Sequence, residues 1–134
     1  MYRIGELANL HRIKVDTLRF YEKVEILQPS ARSNAGYRLY NQHDEQKLAF
    51  VIRAKQVGFS LQDIKQLLSI EVDRDNRACS DSKAIVDSKL AQVDAQIQEL
   101  QLFRVSLSTL SQSCCGTDEP ATNCSILEAL NSHD

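Results

Sequence analysis

The sequence predicts a mainly α-helical fold: a winged helix-turn-helix head, then one long helix, then a C-terminal loop rich in cysteine. Three observations carry this. Only four Gly and two Pro punctuate 134 residues. Apolar residues recur at helical spacing over most of the chain. From Val86 onward they settle into alternating steps of four and three, a seam about thirty residues long.

Ile4 to Leu10 reads as a short first helix with Ile4, Leu7 and Ala8 on one face, and Val15 to Lys23 as a second with Val15 and Leu18 inward. The few residues between them allow only a turn, so the pair fits a helix-turn-helix whose second helix carries Arg19, Tyr21 and Lys23 on its outer side. Gln28 to Asn41 holds Pro29, Gly36 and the alternating Tyr37-Arg38-Leu39-Tyr40, which predicts a hairpin or wing. A third helix is expected over about Gln42 to Val57 with Leu48, Val51, Ile52 and Ala54 as its apolar stripe, stopped by Gly58. Ser60 and Asp63 form a capping-box pattern for a fourth, which buries Leu61, Ile64, Leu67 and Leu68.

After an acidic loop, Cys79 precedes Ser80-Asp81, a start signal for the long helix. Val86, Leu90, Val93, Ile97 and Leu100 have a/d spacing, and Phe103, Leu107 and Leu110 continue the stripe. So long an apolar seam needs a partner helix, and a second copy of the chain is the simplest.

Charge divides the chain. Residues 1–70 carry eleven Lys/Arg against seven Asp/Glu, and residues 71–134 five against eleven. A basic first half beside a helix-turn-helix pattern points to double-stranded DNA. The N-terminus lacks the basic-then-apolar signature of a secretory signal, and no segment reaches the length of a membrane span, so a cytoplasmic protein is expected.

The four cysteines are Cys79, Cys114, Cys115 and Cys124. In a reducing compartment such a cluster reads as metal-binding or redox-active in preference to disulfide-forming. A continuous helix from Ser80 to Gln112 would be roughly 50 Å long, which keeps Cys79 from its own chain's other thiols. In an antiparallel homodimer the start of one helix lies beside the end of the other, so Cys79 would complete a site with the Cys114 to Cys124 loop of the partner subunit. Three thiolates suit Zn(II), with Cd(II) and Pb(II) as chemical mimics. Glu119 is a candidate oxygen ligand, whereas Asp118 reads as loop solvation. His11, His43 and His133 fall outside the loop and read as surface residues. A thiol-based redox sensor using Cys114 and Cys115, and a metal-buffering protein with no DNA role, are competing readings. There is no nucleophile elbow and no phosphate-cradling glycine loop, so no enzyme is expected.

Tyr2-Arg3-Ile4-Gly5-Glu6-Leu7-Ala8, Asp16-Thr17-Leu18-Arg19-Phe20-Tyr21-Glu22, Gly36-Tyr37-Arg38-Leu39-Tyr40 and Gln56-Val57-Gly58-Phe59-Ser60-Leu61 together resemble the MerR family of bacterial transcriptional regulators. Cys114-Cys115-Gly116-Thr117, Cys124-Ser125-Ile126-Leu127 and Cys79 are similar to its zinc-responsive branch. The resemblance implies a DNA-binding head over 1–70, a connecting loop over 71–79, a dimerisation helix paired antiparallel over 80–112, and a metal-binding loop with a short C-terminal helix over 113–134. By position it implies that Thr17, Arg19 and Tyr21 touch DNA and that Arg32, Tyr37, Arg38 and Lys55 grip phosphates. It implies a homodimer that binds a palindromic operator and, with Zn(II) bound, distorts the DNA so that RNA polymerase can use a metal-export promoter. A regulator responding mainly to Cd(II) or Pb(II) is the variant reading. The branch carries a histidine in the loop where this chain has none, which leaves Glu119 as the expected substitute.

Overall fold

A computed structural model of the chain describes residues 1–131; His133 lies outside them. The chain divides into two compact units, Met1–Ile85 and Val86–Asp134. The first contains β1 (Tyr2–Arg3), α1 (Ile4–Leu10), α2 (Val15–Lys23), β2 (Ala31–Arg32), β3 (Arg38–Tyr40), α3 (Gln42–Gln56) and α4 (Leu61–Glu71). After one 3-10 turn at Arg74–Asn76 comes α5 (Cys79–Gln112), which starts in the first unit and continues in the second. A 3-10 turn at Ala121–Asn123 and α6 (Ser125–Leu130) follow.

The expected winged helix-turn-helix is present. Its core joins Leu7 and Ala8 of α1, Leu18 and Tyr21 of α2, Leu48, Val51 and Ala54 of α3, and Ile64 and Leu68 of α4, with Ile26, Leu27 and Tyr40 between them. Alternation along Tyr37 to Tyr40 did predict the wing, but the sheet has a third strand. β3 is central, pairing antiparallel with β2 through Ala31↔Leu39 and Arg32↔Arg38, and with β1 through Tyr2↔Tyr40 and Arg3↔Leu39. β1 has two residues and is set by a partner 38 positions away, so no local period announces it.

One placement is corrected. Tyr21 was expected on the outer side of α2, yet it is 7% exposed and belongs to the core. Arg19, Tyr21 and Lys23 alternate with the period of a strand; on a helix Tyr21 lies three residues after Leu18 and shares its buried face. The outward residues are Asp16, Arg19, Phe20 and Lys23, at helical spacing.

Three helices of the head stop by the same device. After α1, Arg12 N–H donates to the Asn9 carbonyl and Ile13 N–H to that of Ala8. After α2, Glu25 and Ile26 donate to Glu22 and Tyr21, and after α3, Gly58 and Phe59 donate to Lys55 and Ala54. This is the Schellman pattern, with a left-handed residue followed by an apolar one that turns back onto the helix. Only Gly58 (φ 97°) is the residue type that signals it; Arg12 (φ 56°) and Glu25 (φ 64°) adopt the same region without glycine.

α2 starts after Lys14 without a side-chain cap, but α3, α4 and α5 start with one. The Ser60–Asp63 box closes reciprocally, each backbone N–H donating to the other's side chain at 3.1 Å. Asn41 and Asp44 close a second box at 2.9 and 2.8 Å. Asp44, 8% exposed, also accepts from the Ser30 hydroxyl, tying the start of α3 to the residue just before β2. α5 begins one residue earlier than expected, at Cys79, with Asp81 accepting from the Ala78 N–H at 3.0 Å and from Arg77 at 3.2 Å.

No residue of α5 is buried. The seam residues Val86, Leu90, Ile97, Leu100, Phe103 and Leu107 are each about half exposed or more. Leu102 and Val105, also exposed, stand on the side opposite Leu100 and Leu107, so the last third of α5 is apolar on more than one face. Among the described residues no helix is long and apolar enough to cross a membrane.

Asp44→Ala removes one acceptor from two donors in a buried setting. It should lower unfolding free energy by about 1–3 kcal/mol in urea titration, and Asp44→Asn by less, because the amide oxygen still accepts.

Candidate metal centre and nucleic-acid interface

The end of α5 builds the first site. Ser113 still donates to the Thr109 carbonyl and caps Leu110 with its hydroxyl, and the chain then leaves the helix at Cys114. Gly116, at φ 71°, turns it back in a conformation that a side chain would strain. The turn leaves the Gly116 N–H 3.5 Å from the Cys114 sulfur. The Ala121–Asn123 turn then delivers Cys124 to the N-cap position of α6.

Cys114, Cys115 and Cys124 consequently line one cavity of about 580 Å³, with Glu119 and Thr117 among the other walls. All four thiols are free; Cys114 and Cys124 are half-buried and Cys115 is exposed. The surroundings favour thiolate at two of them. Cys115 is held below the ordinary thiol range chiefly by the Thr117 hydroxyl, 3.1 Å from its sulfur, and then by the Thr117 backbone. Cys124 is also lowered, first by the Leu127 N–H and then by that of Ile126. Both amides belong to the start of α6, and desolvation of the sulfur opposes their effect.

Soft sulfur donors already biased to thiolate fit a borderline-soft divalent ion. Among the described residues no three His, Cys, Asp or Glu groups form a ready ligand set within one chain. Cys79 does not line the loop cavity. It is exposed at the first position of α5 and borders a different concavity of about 350 Å³, with Phe50, Leu67, Ile70 and Arg77. Asp118 does not line the loop cavity, whereas Glu119 does. His43 is exposed, as expected. His11 is not a surface residue: its Nε2 meets Glu45 Oε1 at 3.0 Å, with both side chains largely buried.

The second site is the basic face of the head. Arg19 is exposed and only loosely attached to Asp16, at 3.4 Å; Thr17 is half-buried beside it. On the wing, Arg32 donates to the Gly36 carbonyl at 3.1 Å and Tyr37 is 58% exposed. Lys55 is exposed near the end of α3. Two participants have no signal in the local sequence. Arg3 of β1 sets its guanidinium 5.2 Å over the Tyr37 ring, a cation–π contact. Glu22 of α2 meets Arg38 of β3, Oε2 to Nε, at 2.6 Å. The expected phosphate-gripping Arg38 is thus half-buried and paired, unlike Arg32.

Residues 2–70 match the family described as MerR HTH family regulatory protein, and residues 45–110 that described as MerR, DNA binding. The chain belongs to the MerR family. It is 47% identical over 130 residues to the HTH-type transcriptional regulator ZntR of Escherichia coli (strain K12), covering 97% of this chain and 92% of that protein. The solved transcription regulator PbrR691 of Ralstonia metallidurans CH34, in complex with lead(II), superposes with a TM-score of 0.84 at 37% identity, over 97% of this chain and 99% of that one. HiNmlR, a MerR family regulator lacking the sensor domain and bound to promoter DNA, aligns with a TM-score of 0.53 at 26% identity, over 83% and 90% of the two chains. This MerR protein is therefore a transcription regulator and not an enzyme.

The thiol environments give a direct check. In the metal-free protein, the pH profiles for iodoacetamide alkylation of Cys115 and Cys124, read by mass spectrometry, should have midpoints below that of an ordinary thiol. Thr117→Val should move the Cys115 midpoint upward and leave Cys124 less affected.

Proposed function

We propose that this protein is a zinc-sensing transcriptional activator that turns on a metal-export promoter by distorting operator DNA when metal is bound. The observation that carries the reading is the single cavity lined by three sulfurs, two of them favoured as thiolate. The 47% identity to ZntR over nearly the whole chain supports it.

In this reading residues 1–70 are the DNA-binding head, 71–79 the connecting loop, 80–112 the dimerisation helix and 113–134 the metal-binding loop with its short helix. The exposed seam of α5 pairs antiparallel with a second copy, which supplies Cys79 of one subunit to Cys114, Cys115 and Cys124 of the other, with Glu119 as an oxygen ligand. A divalent ion bound there supplies a crosslink between subunits. Thr117 and the α6 amides hold the sulfurs as thiolates, Gly116 keeps the loop tight around them, and Cys79 transmits the loop's position to the base of a head. Only a difference in affinity between two protein conformations can drive the change, each tenfold being worth about 1.4 kcal/mol.

The homodimer binds a palindromic operator in the cytoplasm, where RNA polymerase then uses the reshaped promoter. Thr17 and Arg19 meet the DNA from α2 while Arg32, Tyr37, Arg38 and Lys55 grip phosphates. Tyr21, with its ring in the core, acts mainly by fixing the face that α2 presents. Response to Pb(II) or Cd(II) is the second reading, favoured by the 0.84 TM-score to PbrR691 and by Glu119 standing in a loop without histidine.

A promoter reporter titrated with Zn(II), Cd(II), Pb(II) and Cu(I) tests both readings, with the strongest induction expected for Zn(II). Cys79→Ser should abolish the metal response while leaving operator binding within about twofold, and normal induction in that variant would sink the cross-subunit site. Arg19→Ala should cost about 1–3 kcal/mol of operator binding in a mobility-shift assay.

A further inference from the structure

Arg32 and Arg38 stand directly opposite each other across the β2–β3 pair. Like charges at such a position repel, and the β2–β3 ladder is only two residue pairs long. Glu22 supplies the missing opposite charge. It comes from α2, not from the wing, and its carboxylate is 17% exposed where it meets Arg38. The two contacting atoms, Glu22 Oε2 and Arg38 Nε, are buried and meet as an ion pair without hydrogen-bond alignment. Arg38 enters the contact through Nε, and about a third of its side chain, 34%, remains exposed.

A third buried polar atom feels the pair's charges. The Tyr40 hydroxyl is buried without a hydrogen-bond partner among the described residues, and of the charges that act on it Glu22 and Arg38 act most strongly. Burial and the Glu22 charge hold this phenol above its ordinary range, so it stays protonated beside the pair. Arg38 is therefore fixed from behind by a charge on the helix that carries Arg19, and its exposed part is directed by that attachment.

We propose that Glu22 is a positioning residue for DNA binding: it holds Arg38 in register with Arg32 and locks the wing to α2, so that both engage the duplex as one unit. This rests on the reading that Arg38 grips a phosphate. Glu22 itself touches no DNA, and its negative charge so near the duplex would otherwise repel the backbone.

The test is a double-mutant cycle in the full-length protein, with operator affinity measured across a salt series for Glu22→Gln, Arg38→Gln and the double variant. Arg38→Gln should weaken binding about tenfold and lower the salt slope by about one. Glu22→Gln should weaken it about threefold to tenfold although it removes a negative charge, and the double variant should be no weaker than Arg38→Gln alone. Thermal unfolding by circular dichroism establishes that each variant is folded. If Glu22→Gln is not, Glu22→Asp, with its charge kept but its reach shortened, takes its place and should lose about twofold to fivefold. Wild-type affinity and salt slope in Arg38→Gln would overturn the phosphate reading. A normal Arg38→Gln loss combined with tighter or unchanged binding in the Glu22 variant, or with losses that multiply, would overturn the positioning role alone.

Discussion

The distribution of buried side chains is the constraint from which the rest of this molecule follows. Among the described residues every core residue lies between Leu7 and Ile70, and the 34 residues of α5 bury none. Apolar burial is the main term favouring folding, at about 25 cal/mol per Å² removed from water. The head is therefore the part of the chain that supplies its own stability. α5 is a continuous helix whose apolar seam stays exposed, and a single helix of that kind is weakly held in water. On the proposed reading the seam is the dimer contact, and dimerisation and helix formation are then one event.

The same distribution divides the chemistry. Three sulfurs gather at one cavity because Gly116 and the α6 N-cap return the chain to the point where it left α5. The fourth borders a concavity of the head. On the proposed reading the ligand set is completed only when two copies meet, which suits a protein whose output depends on the relation between two heads and not on the shape of one.

Much of the head was legible because its signals are local. Ser60 with Asp63, Gly58, and the stripe Leu48, Val51 and Ala54 each announce their element within a few residues. What was missed depends on distance along the chain. β1 exists because Tyr2 finds Tyr40, and Arg38 is paired because Glu22 arrives from another element, 16 residues earlier. Tyr21 differs for another reason: Arg19 and Lys23 flank it with charge, but the helical step of three from Leu18 turns its ring into the core. At the cysteine loop the ligand candidates were visible from residue type. The Thr117 contact that tunes Cys115 was not, because a hydroxyl two residues away can point anywhere until Gly116 fixes the turn.

The helix endings at Arg12 and Glu25 place the head below the most stable sequence its backbone could carry. A side chain in the left-handed region costs roughly 1–2 kcal/mol, which glycine would not incur. Two such positions together are a sizeable share of a typical domain's stability of about 5–15 kcal/mol. Arg12 lies in the turn of the helix-turn-helix, two residues from Lys14, on the basic half of the chain. Glycine there would relieve the backbone and delete a cation from that surface. Backbone stability and electrostatic attraction to an anionic partner thus make opposite demands on this one residue.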